Sequence, residues 1–341
     1  MASPTHTLRQ RVLTGDRPTG RLHLGHYVGT LANRVRLQET SDVFLVLADY
    51  HMLTTRYRRE ALAQMTEDLR EMVLDYLSVG LDPAQTTIYV QSQVPQVCEL
   101  HVIFSMLVTV ARAQRMPTLK DLGTTQGITH PSVGLLSYPI LQAADILLVR
   151  ANVVPVGQDQ VAHIDLCRDI ARHFNHLYGN IFPEPEALVG NVPLLVGTDG
   201  QNKMSKSLGN AIFLSDDAAT VHTKVMRMCT EPTRIHPPVP GQVEGNPVFV
   251  YHDIFNPNKG EVEELKQRYR TGQIGDVEAK QQLSRALNAF LVPFRVRRAR
   301  YAADPHLVAE LLRRGRARVK AEARQTLQLV RQAMGLPHSS C

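Results

Sequence analysis

The sequence contains no tryptophan, only four cysteines, and 6% aromatic residues in a chain of 341. The cysteines stand at positions 98, 167, 229 and 341, too far apart in sequence for the short-spaced ligand sets of zinc or iron–sulfur sites. Reduced thiols are the expectation. Long apolar runs are also missing. The best, Val102 to Ala111, is interrupted by Ser105 and Thr109 and falls well short of the roughly 18 residues of a membrane span. Residues Met1 to Gln10 are polar and lack the apolar centre of a secretory signal, so a cytoplasmic protein without membrane contact is expected. What is present, 43% hydrophobic and 21% charged residues, is ordinary globular composition in a chain long enough for about two domains.

Charge is unevenly placed. The chain carries a formal +6, yet the residues from Leu291 onward hold eleven Lys/Arg against Asp304, Glu310 and Glu322, a local +8 that leaves the first 290 residues at −2. A local basic helix is the footprint of a nucleic-acid phosphate backbone, and a solvated helix face accounts for it equally well.

Val43 to Ala48, Thr87 to Val90 and Val153 to Val156 read as buried parallel strands, apolar on both faces. Amphipathic segments such as Glu60 to Leu77 and Gln160 to Phe174 alternate with them. That alternation predicts an α/β, Rossmann-like doubly wound parallel sheet through residue 196. From residue 197 to 341 the strand signal fades, and an all-helical domain ending in a basic helix over Pro305 to Met334 is expected.

Four segments carry chemistry. In Thr14 to Gly29, a strand ending at Val12-Leu13 turns through Gly15 and Pro18-Thr19-Gly20 into a helix starting near His23. A helix N-terminus at the carboxyl end of a strand offers free amides to phosphate. His23 and His26, three apart, share a face with Gly25 between them, and both can donate to charge developing at phosphorus. The second segment, Lys203-Met204-Ser205-Lys206-Ser207, lies among Gly197, Gly200 and Gly209 and suits a loop closing over a leaving pyrophosphate. The third, Ser137 to Val149, reads as a helix with Pro139 in its first turn. It presents Tyr138, Gln142 and Asp145 as a polar stripe opposite an apolar face. Asp145, among alanines and leucines, needs a donor if buried. In the fourth, Val153 to His163, a strand leads through Gly157 to Asp159 and Gln160, which can accept from hydroxyls and an amino group; a helix cap at Asp159 is the plainer alternative.

His23-Leu-Gly-His26 and Lys203-Met-Ser-Lys-Ser207 resemble, in order and spacing, the paired signatures of class I aminoacyl-tRNA synthetases. With Pro18 to Tyr27, Asp49-Tyr-His51, Tyr138 to Leu148 and Val153 to Gln160, the chain resembles the tryptophanyl-tRNA synthetases of bacterial type over nearly its whole length. The resemblance implies that His23, His26, Lys203, Lys206 and Lys120 stabilise charge on the phosphates. It implies an ATP site at Arg17, Thr19, Gly20, Gly25, His26, Gly157, Asp159, Lys203, Met204, Ser205 and Lys206. It further implies a tryptophan site at Asp145, Tyr138, Gln142, Gln160 and His51, with Asp145 taking the indole N–H. Mg²⁺ would arrive with ATP and take no protein side chain as ligand. L-tryptophan and tRNA(Trp) are the implied partners, in a homodimer. The sequence departs from many bacterial members at Arg17 (usually Gln), His23 and His26 (Thr and Asn) and Gln142 (Met). The alternatives are a tyrosyl-tRNA synthetase, or a synthetase-like paralogue that binds tryptophan as a sensor or partner protein.

Overall fold

The structure is a computed structural model and describes residues 9–118, 130–190, 195–229 and 239–337. Lys120 and Cys341 lie outside the described residues. In chain order, β1 (Arg11–Asp16) is followed by α1 (Leu24–His26), a π-helical turn (Tyr27–Leu31), α2 (Ala32–Thr40), β2 (Asp42–Leu47), α3 (Asp49–Leu53), α4 (Arg59–Ala63), α5 (Met65–Val79) and β3 (Thr86–Val90). Then come α6 (Gln96–Ser105), α7 (Val110–Gln114), α8 (Val133–Leu148), β4 (Val153–Val156), α9 (Val161–Tyr178) and β5 (Glu186–Val189). The remainder is α10 (Ala218–Met226), α11 (Pro247–Phe255), α12 (Lys259–Arg270), α13 (Asp276–Ala302) and α14 (Leu307–Met334).

All strand pairs are parallel, in the order β3-β2-β1-β4-β5. The fold is therefore the doubly wound sheet that the strand–helix alternation predicts, with a helical region after it. Residues Val43 to Leu47 are all at most 5% exposed, as a central strand covered on both faces requires. Because the chain runs outward to β3 on one side of β1 and to β4 and β5 on the other, the carboxyl ends of β1 and β4 part and leave a crevice.

Several local expectations need correction. The first strand does not stop at Leu13; it continues to Asp16, with Gly15 inside it. A Cβ there would stand 2.3 Å from Val46 Cγ1, so glycine lets the strand run on against β2. The Glu60–Leu77 segment is two helices separated at Gln64. Helix α8 begins more than a turn before Pro139, because Ser132 accepts from the Leu135 amide and caps it there. Pro139 is interior. The short edge strand β5 carries no buried run of its own to announce it.

The basic terminal helix α14 lies against the edge strand β3. Gly315 makes this possible: a Cβ there would come within 1.8 Å of Ile88 O. Val319, Ala323, Leu327 and Val330 join the apolar core beneath that side of the sheet. Arg318 pairs with Asp42 at 2.7 Å and Arg331 with Glu99 at 2.6 Å, while Arg314, Arg316 and Arg324 are exposed. Among the described residues no helix is long and apolar enough to cross a membrane.

Candidate active site

The crevice between the ends of β1 and β4 is a cleft of about 610 Å³, lined by Asp145, Gln142 and Tyr138 of α8 and by Arg17, Gly157 and Asp159. Asp145 is 3% exposed. Its Oδ2 accepts from Gln91 Nε2 at 2.7 Å and from His51 Nε2 at 3.0 Å. Its Oδ1 makes no hydrogen bond among the described residues. Gln91 is a residue that motif reading missed. It stands directly after the buried strand β3, a strand end where a doubly wound sheet places ligand contacts, and that position was the available signal.

Tyr138 and Gln142 meet on a residue that was also missed, His163 of α9. His163 Nδ1 lies 2.8 Å from Gln142 Oε1, an acceptor only, so Nδ1 carries the proton. Burial pushes the ring down to about 4, so it is neutral, and Nε2 accepts from Thr118 Oγ1 at 2.8 Å or Tyr138 OH at 3.2 Å. Thr118 and Tyr138 hydroxyls are themselves bonded. The Gln142 amide is thus oriented by a neutral histidine.

The two lysine/histidine segments are in contact. His23 is the N-cap residue of α1, and its ring centroid lies 3.7 Å from that of His26. His26 Nδ1 accepts from the His23 backbone N–H at 3.1 Å, which leaves the proton of a neutral ring on Nε2. Burial, then the neighbouring imidazole and the loop lysines, hold His23 down at about 3. Burial and the same lysines hold His26 at about 4, against the pull of Asp16. Both are neutral donors at pH 7. His23 Nδ1 is buried without a partner among the described residues.

Gly25 N–H donates to the sulfur of Met204 at 3.3 Å. Lys206 Nζ donates to Thr19 O and Gly20 O, each at 2.8 Å, and burial lowers its pKa to about 8. The loop is shaped by two residues absent from the motif. Asn210 Oδ1 accepts from Ser205 N at 2.7 Å, and Asn210 Nδ2 donates to Asp199 at 2.9 Å. Lys203 is exposed. Asp159 is exposed too and caps no helix; its carboxylate accepts from Gln160 at 3.1 Å.

Residues 6–292 match the family model described as tRNA synthetases class I (W and Y). The tryptophan–tRNA ligase of Treponema pallidum (strain Nichols) is 56% identical over 326 residues, covering 96% of this chain and 97% of that one. The chain belongs to the tryptophanyl-tRNA synthetases of class I. The tryptophan–tRNA ligase of Chlamydia caviae is 53% identical over 96% of both chains. The tryptophanyl-tRNA synthetase of Campylobacter jejuni, solved with ADP and tryptophan, superposes with a TM-score of 0.84 at 34% identity, covering 96% of this chain and all of that one. A cluster of Asp16, Arg34 and Tyr76, of which Asp16 and Arg34 line the cleft, was not read from the sequence. Arg34, 3% exposed, bonds both Asp16 oxygens, and Tyr76 OH donates to Asp16 at 2.7 Å. Burial opposes ionisation of Asp16, yet Arg34 and Tyr76 bring it down to about 2.

Proposed function

We propose that this chain activates L-tryptophan with ATP and transfers the product to tRNA(Trp). The tryptophan carboxylate oxygen attacks the α-phosphorus, forming an O–P bond as the bond to the β-phosphate oxygen breaks and pyrophosphate leaves with the charge. The terminal ribose hydroxyl of the tRNA then attacks the acyl carbon of the adenylate, forming the ester bond as the carbon–oxygen bond to the phosphate breaks; AMP leaves with the electron pair and the hydroxyl proton is released. No protein nucleophile enters, so catalysis rests on positioning and on charge stabilisation. His23 and His26 supply neutral N–H donors, and Lys203 and Lys206 supply cations; Lys120 would join them.

The observation that carries this reading is the cleft itself. It joins the buried carboxylate of Asp145 to Gly15 and Asp16 of β1, the strand that leads into the first signature segment. Asp145 suits an N–H donor, the indole ring nitrogen. Gln142 and His51 line the ring pocket, Tyr138 and Gln160 lie where the amino group would bind, and Arg17, Thr19, Gly20, Gly25, Met204, Ser205, Gly157 and Asp159 surround the nucleotide. Among the described residues no group of three or more His, Cys, Asp or Glu could hold a metal. Mg²⁺ would enter on the phosphates of ATP, neutralising them. A tRNA substrate implies work in the cytoplasm. For the homodimer, the support is an apolar surface on neighbouring elements: Val102 is 56% exposed, Met106 79%, Val110 62% and Val133 81%. Sedimentation of Met106→Glu should show monomers where the parent shows dimers.

The test is ATP–pyrophosphate exchange with each aromatic amino acid in turn. Exchange that depends on tryptophan supports the assignment. Exchange driven by tyrosine instead, or none with any of them, overturns it in favour of the tyrosyl enzyme or of the non-catalytic paralogue.

A further inference from the structure

Asp75 of α5 is completely buried, 0% exposed, and lies outside the cleft. Its Oδ2 accepts from the Leu22 backbone N–H at 2.7 Å, and its Oδ1 from Arg298 Nε at 3.0 Å. A second arm of Arg298, Nη2, donates to Glu71 Oε2 at 2.7 Å. Arg298 belongs to α13 in the helical region, while Leu22 is the residue before His23. One carboxylate thus joins the helical region to the turn that bears the first signature histidine.

The turn is gripped from its other side as well. Leu214 N donates to Leu22 O at 2.9 Å and Leu24 N to Ile212 O at 3.0 Å, which pairs it with the segment that follows the lysine loop. That segment is also held by α13. Arg295 Nε donates to Asp216 O at 2.8 Å, and Asp216 Oδ2 accepts from Phe213 N at 2.9 Å. Two arginines one turn apart on a single helix therefore reach both signature segments.

A buried ion pair by itself says little, since such pairs often contribute nothing net to stability. This one differs in where its second oxygen goes. A bond from a backbone N–H to a carboxylate is charge-assisted and directional, and here it falls on the residue adjoining His23. The His23 ring has no hydrogen bond at Nδ1 to hold it, so its place follows from its backbone and its packing. We infer that Asp75 and Arg298 are positioning residues for adenylate formation, setting where the His23 ring stands through the Leu22 amide and tying that placement to α13. The inference rests on the proposed activity.

Exchange kinetics on the full-length chain test it, with Asp75→Asn, Arg298→Met, Arg298→Lys and the double variant Asp75→Asn/Arg298→Met. Tryptophan-dependent exchange by the parent tests the underlying activity separately. With that present, Arg298→Met should lower kcat about tenfold to a hundredfold, the scale of a small misplacement of a catalytic group, with KM for tryptophan within about twofold. Arg298→Lys should restore most of kcat. The double variant no longer buries an unpaired charge, so its thermal midpoint should recover while kcat stays low. The inference is overturned by a folded Arg298→Met with the parental kcat, by a loss confined to KM for tryptophan, or by a double variant that regains kcat together with stability.

Discussion

Neutral histidines and one partly deprotonated lysine set the behaviour of single residues here. Lys206 sits against two carbonyl oxygens with its pKa lowered by burial to about 8. The protonated form serves the phosphates, so kcat/KM for ATP should fall as pH rises through about 8, and Lys206→Arg should move that limb upward. Lys206→Ala should slow adenylate formation by about 10² to 10³, the scale of losing one charge-stabilising donor. In the cleft, Asp145→Asn keeps the shape but gives up the charged acceptor. KM for tryptophan in exchange should rise by about 10² or more, as for truncating one partner of a buried charged bond. The stripe Tyr138, Gln142, Asp145 was legible because helical spacing alone places those residues on one face. Gln91 and His163, which orient two of them, come from other elements; the place of Gln91 at the end of a buried strand was the one signal, and nothing in the local sequence of His163 distinguishes it.

Among whole elements, α14 shows how far charge alone can be read. The +8 of the chain's last part suggested phosphate contact or a solvated face. Part of that charge serves neither, being paired within the chain. Arg318 and Arg331 face the N-terminal half and pair with Asp42 and Glu99, while Arg316 and Arg324 face outward. Arg316→Glu/Arg324→Glu should weaken tRNA charging and reduce its salt dependence while exchange stays at the parental rate. The opposite face has no tolerance. Gly315→Ala would drive a methyl into Ile88 O, destabilising the chain by about 3 kcal/mol and lowering its thermal midpoint. Val319, Ala323, Leu327 and Val330 recur near helical spacing, which marks a buried side but not which surface covers it.

Over the whole molecule, acid should loosen the fold. His23, His26 and His163 have pKa values held at about 3, 4 and 4 against an ordinary 6.5. A depressed histidine contributes stability in full above 6.5, and that contribution declines as pH falls from there toward 4, where the unfolded chain takes up protons that the native chain refuses. The thermal midpoint at pH 5 should lie below that at pH 7, and His163→Gln should flatten the difference. The lack of tryptophan also acquires a use. Emission excited at the red edge of the indole band reports the ligand almost alone, so a tryptophan titration should show saturation for the parent and none for Asp145→Ala.

The sequence by itself determined the α/β class, the helical continuation, the two signatures and the family. These depend on periodicity and on short contiguous patterns, which local chain geometry converts directly into strands, turns and helix faces. Only the tertiary structure decided the protonation of His23 and His26, the partners of Asp145 and the link from Arg298 through Asp75 to Leu22. Each of those depends at least in part on groups 50 or more residues apart, brought together and removed from water. Desolvation and pairing at that range leave no mark in any one segment.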